Sequence, residues 1–261
     1  MNANEPSIQK IADMLDAALH QRHAIDPVVV LDPALDVDDA YAIQLKNIAR
    51  EVERGARISG KKIGLTSQAM QNMLGVHEPD YGHLLDRMDV GGKPVATSRL
   101  LQPRAEGEIA FVMKDDLKGP NASVEDVLAA TDYVVGAIEI VDSRVRDWKI
   151  QLIDTVADNG SSGLYVLGEK RLRPGEFSLP DECMQLFKND DWLNAGCGAD
   201  VLGNPALCVA WLANKLHHYG VVLRKGEVVL SGALSAATPV KPGDQVRVMF
   251  NQLGTVTVDF E

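Results

Sequence analysis

The stretch "QPRAEGEIAFVMK", residues 102–114, sets two glutamates one residue apart at the head of an apolar run. On a strand, side chains alternate between faces, so Glu106 and Glu108 point the same way, with Ala110 and Val112 behind them. Ile109, Phe111 and Met113 take the other face. Both faces are apolar beyond the glutamates, which is the pattern of a strand covered on both sides. Two carboxylates aimed together at such a core repel, and at least one pKa rises unless a cation sits between them.

Downstream of this strand the texture is β-rich. "YVVGAIEIV", "GLYVLG", "GEVVLSG", "DQVRVMF" and "GTVTVDF" are short, β-branched and punctuated by Gly, Pro, Asp or Asn. Two helices interrupt them. One starts at Ser123, with Asp126 completing a capping box, and the other runs from near Pro205 to Gly220. Upstream, the chain reads as helix. Ile8, Ile11, Leu15, Ala18 and Leu19 recur at helical spacing, as do Tyr41, Leu45, Ile48 and Val52 before Gly55. "AIDPVVVLDPALDVDDA" reads as a connector, and a short helix is expected from Ser67 to Leu74, stopped at Gly75. Helices first and strands later predict an α+β fold. The expected organisation is an N-terminal helical region, residues 1–60, packed on a β-rich body, residues 61–261, as one structural unit.

Composition bounds the function. The 261 residues suffice for a sizeable core, and the 46% hydrophobic and 24% charged content is ordinary for a globular protein. A net charge of −11 argues against nucleic acid, because phosphate binding needs a basic face. No apolar run approaches the ~20 residues of a membrane span, and "MNANEPSIQKIADML" lacks the basic and apolar segments of a signal peptide. A cytoplasmic protein is expected. Cys183, Cys197 and Cys208 are odd in number and without CxxC spacing, so reduced thiols are expected rather than a disulfide framework.

Glu139 is the only charge in the run from Tyr133 to Val141. A buried carboxylate is paired or metal-bound, and a strand beside residues 106–113 would bring Glu139 to Glu106 and Glu108. Three hard oxygen donors with open positions suit a catalytic Mg²⁺ or Mn²⁺. On the residues alone a second reading stays open: Glu106 and Glu108 at a solvated strand end, and Glu139 paired with Arg144.

Across nearly the whole chain, ordered motifs resemble the hydratase/decarboxylase branch of the fumarylacetoacetate hydrolase superfamily. They are "GKKIGLTS" (60–67), "EPDYGHL" (78–84), "QPRAEGEIAF" (102–111), "AIEIVDSRVRDW" (137–148), "DTVADNGSSG" (154–163) and "GDQVRV" (243–248). The chain has Gly107 where related members often carry alanine, a change in packing between the glutamates. The resemblance implies a mixed β-sheet or β-roll body of that superfamily's C-terminal-domain type. It also implies metal ligands Glu106, Glu108 and Glu139, and a small 2-hydroxy-dienoate or 2-oxo acid whose carboxylate and 2-oxygen chelate the metal. Water would add at C4 of 2-hydroxypenta-2,4-dienoate, also drawn as 2-oxopent-4-enoate, to give 4-hydroxy-2-oxopentanoate, a step of meta-cleavage degradation of aromatic compounds.

The motif match selects Lys62 as the acid/base, with its neighbour Lys61 turned to solvent and the Lys62 pKa lowered for proton shuttling. Asp80 is expected to orient Lys62 or carry a proton, and Ser161, Ser162 and Ser235 to hold the substrate. Asp142 and Arg144 are either a structural salt bridge or supports for the site. His77 and His83 fall near an expected loop. Two rival functions remain: a 2-oxo-3-hexenedioate (4-oxalocrotonate) decarboxylase, and a non-catalytic partner subunit of a hydratase–decarboxylase complex. A homo-oligomer is also implied.

Overall fold

The computed structural model describes residues 4–67, 71, 76 and 78–261. Most of the expected helix from Ser67 to Leu74, its stop at Gly75, and His77 lie outside the described residues.

The expected helices at the start of the chain form as α1 (Glu5–Gln21) and α3 (Val37–Glu53), joined through the short α2 (Val28–Leu31). The Asp36 side chain caps α3 by accepting from the Asp39 backbone N–H at 2.9 Å. The buried stripe of α1 is the expected one, Ile8, Ile11, Leu15 and Ala18. That of α3 is rotated. Ile43 and Gln44 are buried, whereas Leu45 and Val52 are 38% and 44% exposed. The reason is that α3 packs on two partners at once, α1 and a helix over residues Leu152–Ala157.

Among the described residues the first strands are β1 (Ile58–Gly64), β2 (Asp80–Leu85), β3 (Pro103–Met113), β4 (Thr131–Asp142) and β5 (Ser162–Leu167). The later ones are β6 (Cys183–Lys188), β7 (Asp191–Cys197), β8 (Val228–Ala233), β9 (Thr238–Pro239), β10 (Gln245–Phe250) and β11 (Thr255–Asp259). Helices α4 (Val124–Ala130), α5 (Leu152–Ala157) and α6 (Pro205–His217) complete the fold. Ser123 and Asp126 form the expected capping box at α4.

One mixed sheet runs β2-β1-β8-β3-β4-β5, with β9 also pairing with β3. Only the β1–β8 pair among these is parallel. A second, antiparallel sheet runs β11-β10-β6-β7 and packs on the first through β4. Gly107 faces this second sheet. A Cβ there would lie 3.0 Å from Val248 Cγ1 and 3.2 Å from the Met184 sulfur, so its lack of a side chain lets the sheets approach between the two glutamates.

The structure corrects several expectations. β1 and β2 are not among the strands that local pattern picks out, although all but the first residues of β1 lie in the expected β-rich body, 61–261. Their sequences, "ISGKKIG" and "DYGHLL", carry charge and glycine instead of β-branched runs, and tertiary pairing overrides that local signal. β6 and β7 were likewise not anticipated; β7 is an exposed edge strand without a buried face to pattern it. Lys61 is buried, not solvent-facing, because β1 is flanked by β2 and β8 and covered on both faces; its ammonium pairs with Glu227 at 3.0 Å. His83 sits buried in β2, with Nδ1 bonded to Gln44 Oε1 at 2.8 Å. Cys183 and Cys197 stand opposite each other in the β6–β7 register and form a disulfide, leaving Cys208 as the free, buried thiol.

Gly82 illustrates how tightly the body closes around one turn. A Cβ at Gly82 would stand 2.2 Å from the Asn159 carbonyl oxygen, a backbone atom that cannot move alone. Gly82→Ala is therefore expected to destabilise the protein by about 2–3 kcal/mol through overpacking. A denaturant melt checks this, and an unchanged midpoint would show the turn to be free to yield.

Candidate active site

The β3–β4 register builds an acidic centre. Glu106 stands directly opposite Glu139, and Glu108 follows on the same face, opposite Ala137. The three carboxylates bring ligand oxygens within 4.8 Å of one another. Glu108 Oε2 accepts from the Gly232 backbone N–H at 2.8 Å. Gly232 makes that approach with φ +105°, and a Cβ there would collide with Thr66 Oγ1 at 2.2 Å. Glu108 Oε1 and both oxygens of Glu139 are buried without a hydrogen-bond partner among the described residues. Orphaned buried oxygens are rare in native proteins, and here they converge on one point. The donor set fits a hard divalent cation.

A second group, Asp16, His20 and Glu51, also brings ligand atoms within 4.8 Å of one another. Arg54 already bridges Asp16 and Glu51 at 2.6 and 2.5 Å, and Arg87 also pairs with Glu51, so this cluster is neutralised from within.

Lys62 reaches the acidic centre from β1. Its Nζ donates to the Gly160 carbonyl at 2.9 Å and lies 3.7 Å from both Asp80 Oδ1 and Glu139 Oε2. A Cβ at Gly64 would fall 2.4 Å from Asp80 Oδ1 and 2.8 Å from Lys62 Nζ, so a bare backbone there admits the pair. The Gly160 carbonyl is presented by a turn in which Asn159, Gly160 and Ser161 all have positive φ (57°, 61° and 52°). Two clamps hold this costly conformation. The Asn159 side chain bonds His83 N and O at 2.7 and 2.9 Å, and the buried Arg144 grips Asp158. Arg144 is thus spoken for, and Glu139 faces Lys62 instead. Asp142 accepts from the backbone N–H groups of Leu101 and Gln102 at 2.9 and 2.7 Å.

A cavity of about 760 Å³ opens on this centre, with Lys62, Asp80, Glu106, Arg104, Trp148, Ser161 and Ser235 in its wall. Ser235 Oγ donates to Asn194 Oδ1 at 2.7 Å, and Ser161 Oγ to Asp158 Oδ2 at 3.3 Å. Ser162, expected beside Ser161 at the substrate, turns instead toward a smaller cavity on the other side of the turn and donates to the Asn159 carbonyl. Successive side chains leave the turn in opposite directions, which separates the two serines. Arg104 and Trp148 were not singled out from the sequence. The signal for Arg104 was present: it stands two residues before Glu106, hence on the same face.

Burial, and then the other charges of the centre, shift Glu106, Glu108 and Glu139 upward. Glu106, half-buried with its open side on the cavity, is raised to about 8 by burial and then by the charge of Glu139. Glu108 is pushed well above the carboxylate range by burial and by Glu139 and Glu106, and Glu139 is raised by burial against the pull of Lys62. Burial alone would lower Lys62, but the charges of Glu139, Asp80, Glu106 and Glu108 outweigh it and raise the pKa above its ordinary value. This corrects the expected lowering: Lys62 rests as an ammonium.

A pH dependence follows. An acid whose folded pKa is raised binds more protons folded than unfolded, so its contribution to stability is lost as pH rises. For the metal-free protein the window runs from the ordinary glutamate value up through the Glu106 value of about 8. Lys62, raised, stays charged throughout and adds no opposing slope. The melting temperature in chelator is expected to fall between pH 5 and pH 8, and saturating Mg²⁺ to remove most of that fall, because deprotonated ligands bind the ion. Calorimetry in EDTA and in Mg²⁺ checks this; parallel slopes in the two would contradict it.

The fumarylacetoacetate (FAA) hydrolase C-terminal family matches residues 87–261. The chain is 43% identical over 256 residues to a 2-hydroxyhexa-2,4-dienoate hydratase of Comamonas testosteroni, covering 97% of each chain. It is 48% identical over 216 residues to a 2-hydroxypent-2,4-dienoate hydratase of Pseudomonas putida, covering 82% of this chain and 97% of that one. Among solved structures it is similar to the 4-oxalocrotonate decarboxylase from Pseudomonas putida G7 complexed with magnesium and adipate. That match has a TM-score of 0.95 at 36% identity and covers 98% of both chains.

Proposed function

The chain belongs to the fumarylacetoacetate hydrolase C-terminal family, and we propose that it is a divalent-metal-dependent hydro-lyase that adds water to 2-hydroxypenta-2,4-dienoate. The product is 4-hydroxy-2-oxopentanoate, and the setting is meta-cleavage degradation of aromatic compounds. The observation that carries this reading is the convergence of Glu106, Glu108 and Glu139 with the Lys62–Asp80 pair at one centre, which meets the cavity through Glu106, Lys62 and Asp80. It is supported by relatives 43% and 48% identical that are hydratases of a six-carbon and a five-carbon 2-hydroxy-dienoate, respectively.

Glu106, Glu108 and Glu139 would hold the ion, Mg²⁺ or Mn²⁺. When bound, it supplies Lewis-acid stabilisation of negative charge at the substrate's 2-oxygen. The chain's own residues supply the rest. Lys62, held as an ammonium by four carboxylates, is the proton donor toward carbon, and its bond to the Gly160 carbonyl fixes where the proton is offered. Asp80, 3.7 Å away, is placed to take up a proton or to reload Lys62. Ser161 and Ser235 line the space for the substrate. In net terms the 2-hydroxyl proton is lost and C5 gains a proton, giving the α,β-unsaturated ketone; water then adds across C3 and C4, its oxygen going to C4 and a proton to C3.

The decarboxylase reading is favoured by one observation, the TM-score of 0.95 to the decarboxylase, but at 36% identity against 43–48% for the hydratases. A non-catalytic partner subunit would have no need of an assembled centre. The homo-oligomer and cytoplasmic setting rest on the sequence; no helix among the described residues is long and apolar enough to cross a membrane. A product assay on the purified chain decides between the enzymes. The hydratase consumes the five-carbon dienoate, losing its ultraviolet absorbance in a metal-dependent way. Release of CO₂ from 2-oxo-3-hexenedioate without hydration of the five-carbon acid would reverse the assignment.

A further inference from the structure

The centre's charge does not balance without one more residue. With all four carboxylates ionised, as metal binding requires, Asp80, Glu106, Glu108 and Glu139 carry four negative charges against one positive charge on Lys62, a net −3. A divalent ion leaves −1, and the substrate is itself an anion. Arg104, on the same face of β3 and in the same cavity wall, brings the sum over these groups to zero before the substrate enters; the wall's other charged side chain, Asp200, accepts from the Cys197 backbone N–H at 2.8 Å.

Arg104 is also free to bind. Lys61, Lys62 and Arg144 each have a carboxylate partner. Among the described residues the Arg104 guanidinium has neither an ion pair nor a hydrogen bond; it stacks on the Trp148 ring, 4.6 Å from the centroid. Residues 1–3, 68–70, 72–75 and 77 contain no Asp or Glu that could pair with it. The platform beneath it is built with care. Trp148 Nε1 donates to the Gln102 carbonyl at 3.0 Å, the Asp147 N–H donates to Gln102 Oε1 at 2.8 Å, and the Gln102 amide is anchored to the Ser143 and Val145 carbonyls. Asp147 and Trp148 both hold positive φ, 59° and 55°, a conformation that costs energy in residues other than glycine. A planar cation held over an indole with its donors uncommitted is pre-organised to take a carboxylate through two parallel N–H bonds.

We propose that Arg104, carried on Trp148, is the subsite that binds the carboxylate of the 2-hydroxy-dienoate. This rests on the hydratase reading for the ligand's identity, though its class, a small 2-oxo or 2-hydroxy acid, is all that the test requires. The competing role is one in which Arg104 only offsets the charge of Glu106 and thereby serves the metal.

The test uses the Mg²⁺-loaded full chain and 2-oxopentanoate, which keeps the acid head but has no double bond to hydrate. Arg104→Met is expected to weaken its binding by titration calorimetry roughly 10–100-fold, the range for a lost charge-assisted hydrogen bond. KM for the dienoate should rise in parallel, kcat should fall far less than kcat/KM, and Mg²⁺ affinity should change little. Trp148→Leu, which removes the platform and leaves the cation, should weaken binding several-fold. Arg104→Lys keeps the charge and loses the fork, so it recovers only part of the affinity and carries the test alone if the Met variant does not fold. Unchanged 2-oxopentanoate binding in Arg104→Met or Arg104→Lys would overturn the proposal, as would Mg²⁺ affinity falling in step with that of the acid. Arg104-dependent binding in a chain that fails to hydrate the dienoate would uphold the subsite and refute the hydratase reading instead.

Discussion

Glu108→Gln is expected to abolish tight Mg²⁺ binding and to lower hydration of the dienoate by about 10³-fold, the loss of several kcal/mol of metal-derived stabilisation. Glu108 is the most informative of the three acids because it is fully buried, with one oxygen tied to the Gly232 N–H and the other without a hydrogen-bond partner among the described residues. The substitution keeps shape and removes charge. It carries an opposite signature in the metal-free protein: with one of three mutually repelling carboxylates gone, the chelated variant should melt higher than chelated wild type at pH 8. Calorimetry with and without EDTA, beside the absorbance assay, reads both effects. A variant that kept wild-type activity and Mg²⁺ affinity would show that the ion does not sit at this cluster.

Lys62→Met should be the next most damaging change, lowering kcat by about 10²–10⁴-fold, the usual contribution of a positioned acid or base. The structure makes a specific case for an acid. Four carboxylates hold the proton on Nζ, and the bond to the Gly160 carbonyl fixes the ammonium at the cavity wall. The change should leave Mg²⁺ binding intact or stronger, since a competing cation 3.7 Å from Glu139 has been removed. That separates Lys62 from the ligands, whose loss costs metal and turnover together. Solvent deuterium incorporation at C3 of the product should fall with kcat in Lys62→Met. Undiminished turnover in the variant would transfer the proton to another group, Asp80 being the nearest.

Much of this arrangement could be read in advance, and the failures share a physical cause. The capping box at Ser123, helix α6 from Pro205, and the strands around residues 106–113 and 133–141 carry strong local patterns, so their structure follows from propensity and periodicity. β1 carries two adjacent lysines and β7 lies exposed at a sheet edge; both are strands only because neighbours pair with them. The same distinction runs through the active site. Glu106 and Glu108 share a face by alternation alone, and Arg104 belongs on that face too. Glu139 enters through a register that no local pattern encodes.

Alternation of side chains along β3 is a property of the backbone, so the sequence by itself determined that two glutamates would share one face at the edge of a core, where solvent or a cation has to answer their charge. It also marked Glu139 as a charge that could not remain buried alone. Only the tertiary structure decided which groups answer that requirement. The β3–β4 register set Glu139 opposite Glu106, the positive-φ turn at Asn159–Ser161 turned Ser161 inward and Ser162 away, and burial of β1 on both faces sent Lys61 to Glu227 and Lys62 to the acids. The reason is one of range. Facing along a strand is set within a few residues, whereas the partner of a buried charge is whichever opposite charge the folded chain brings within about 4 Å.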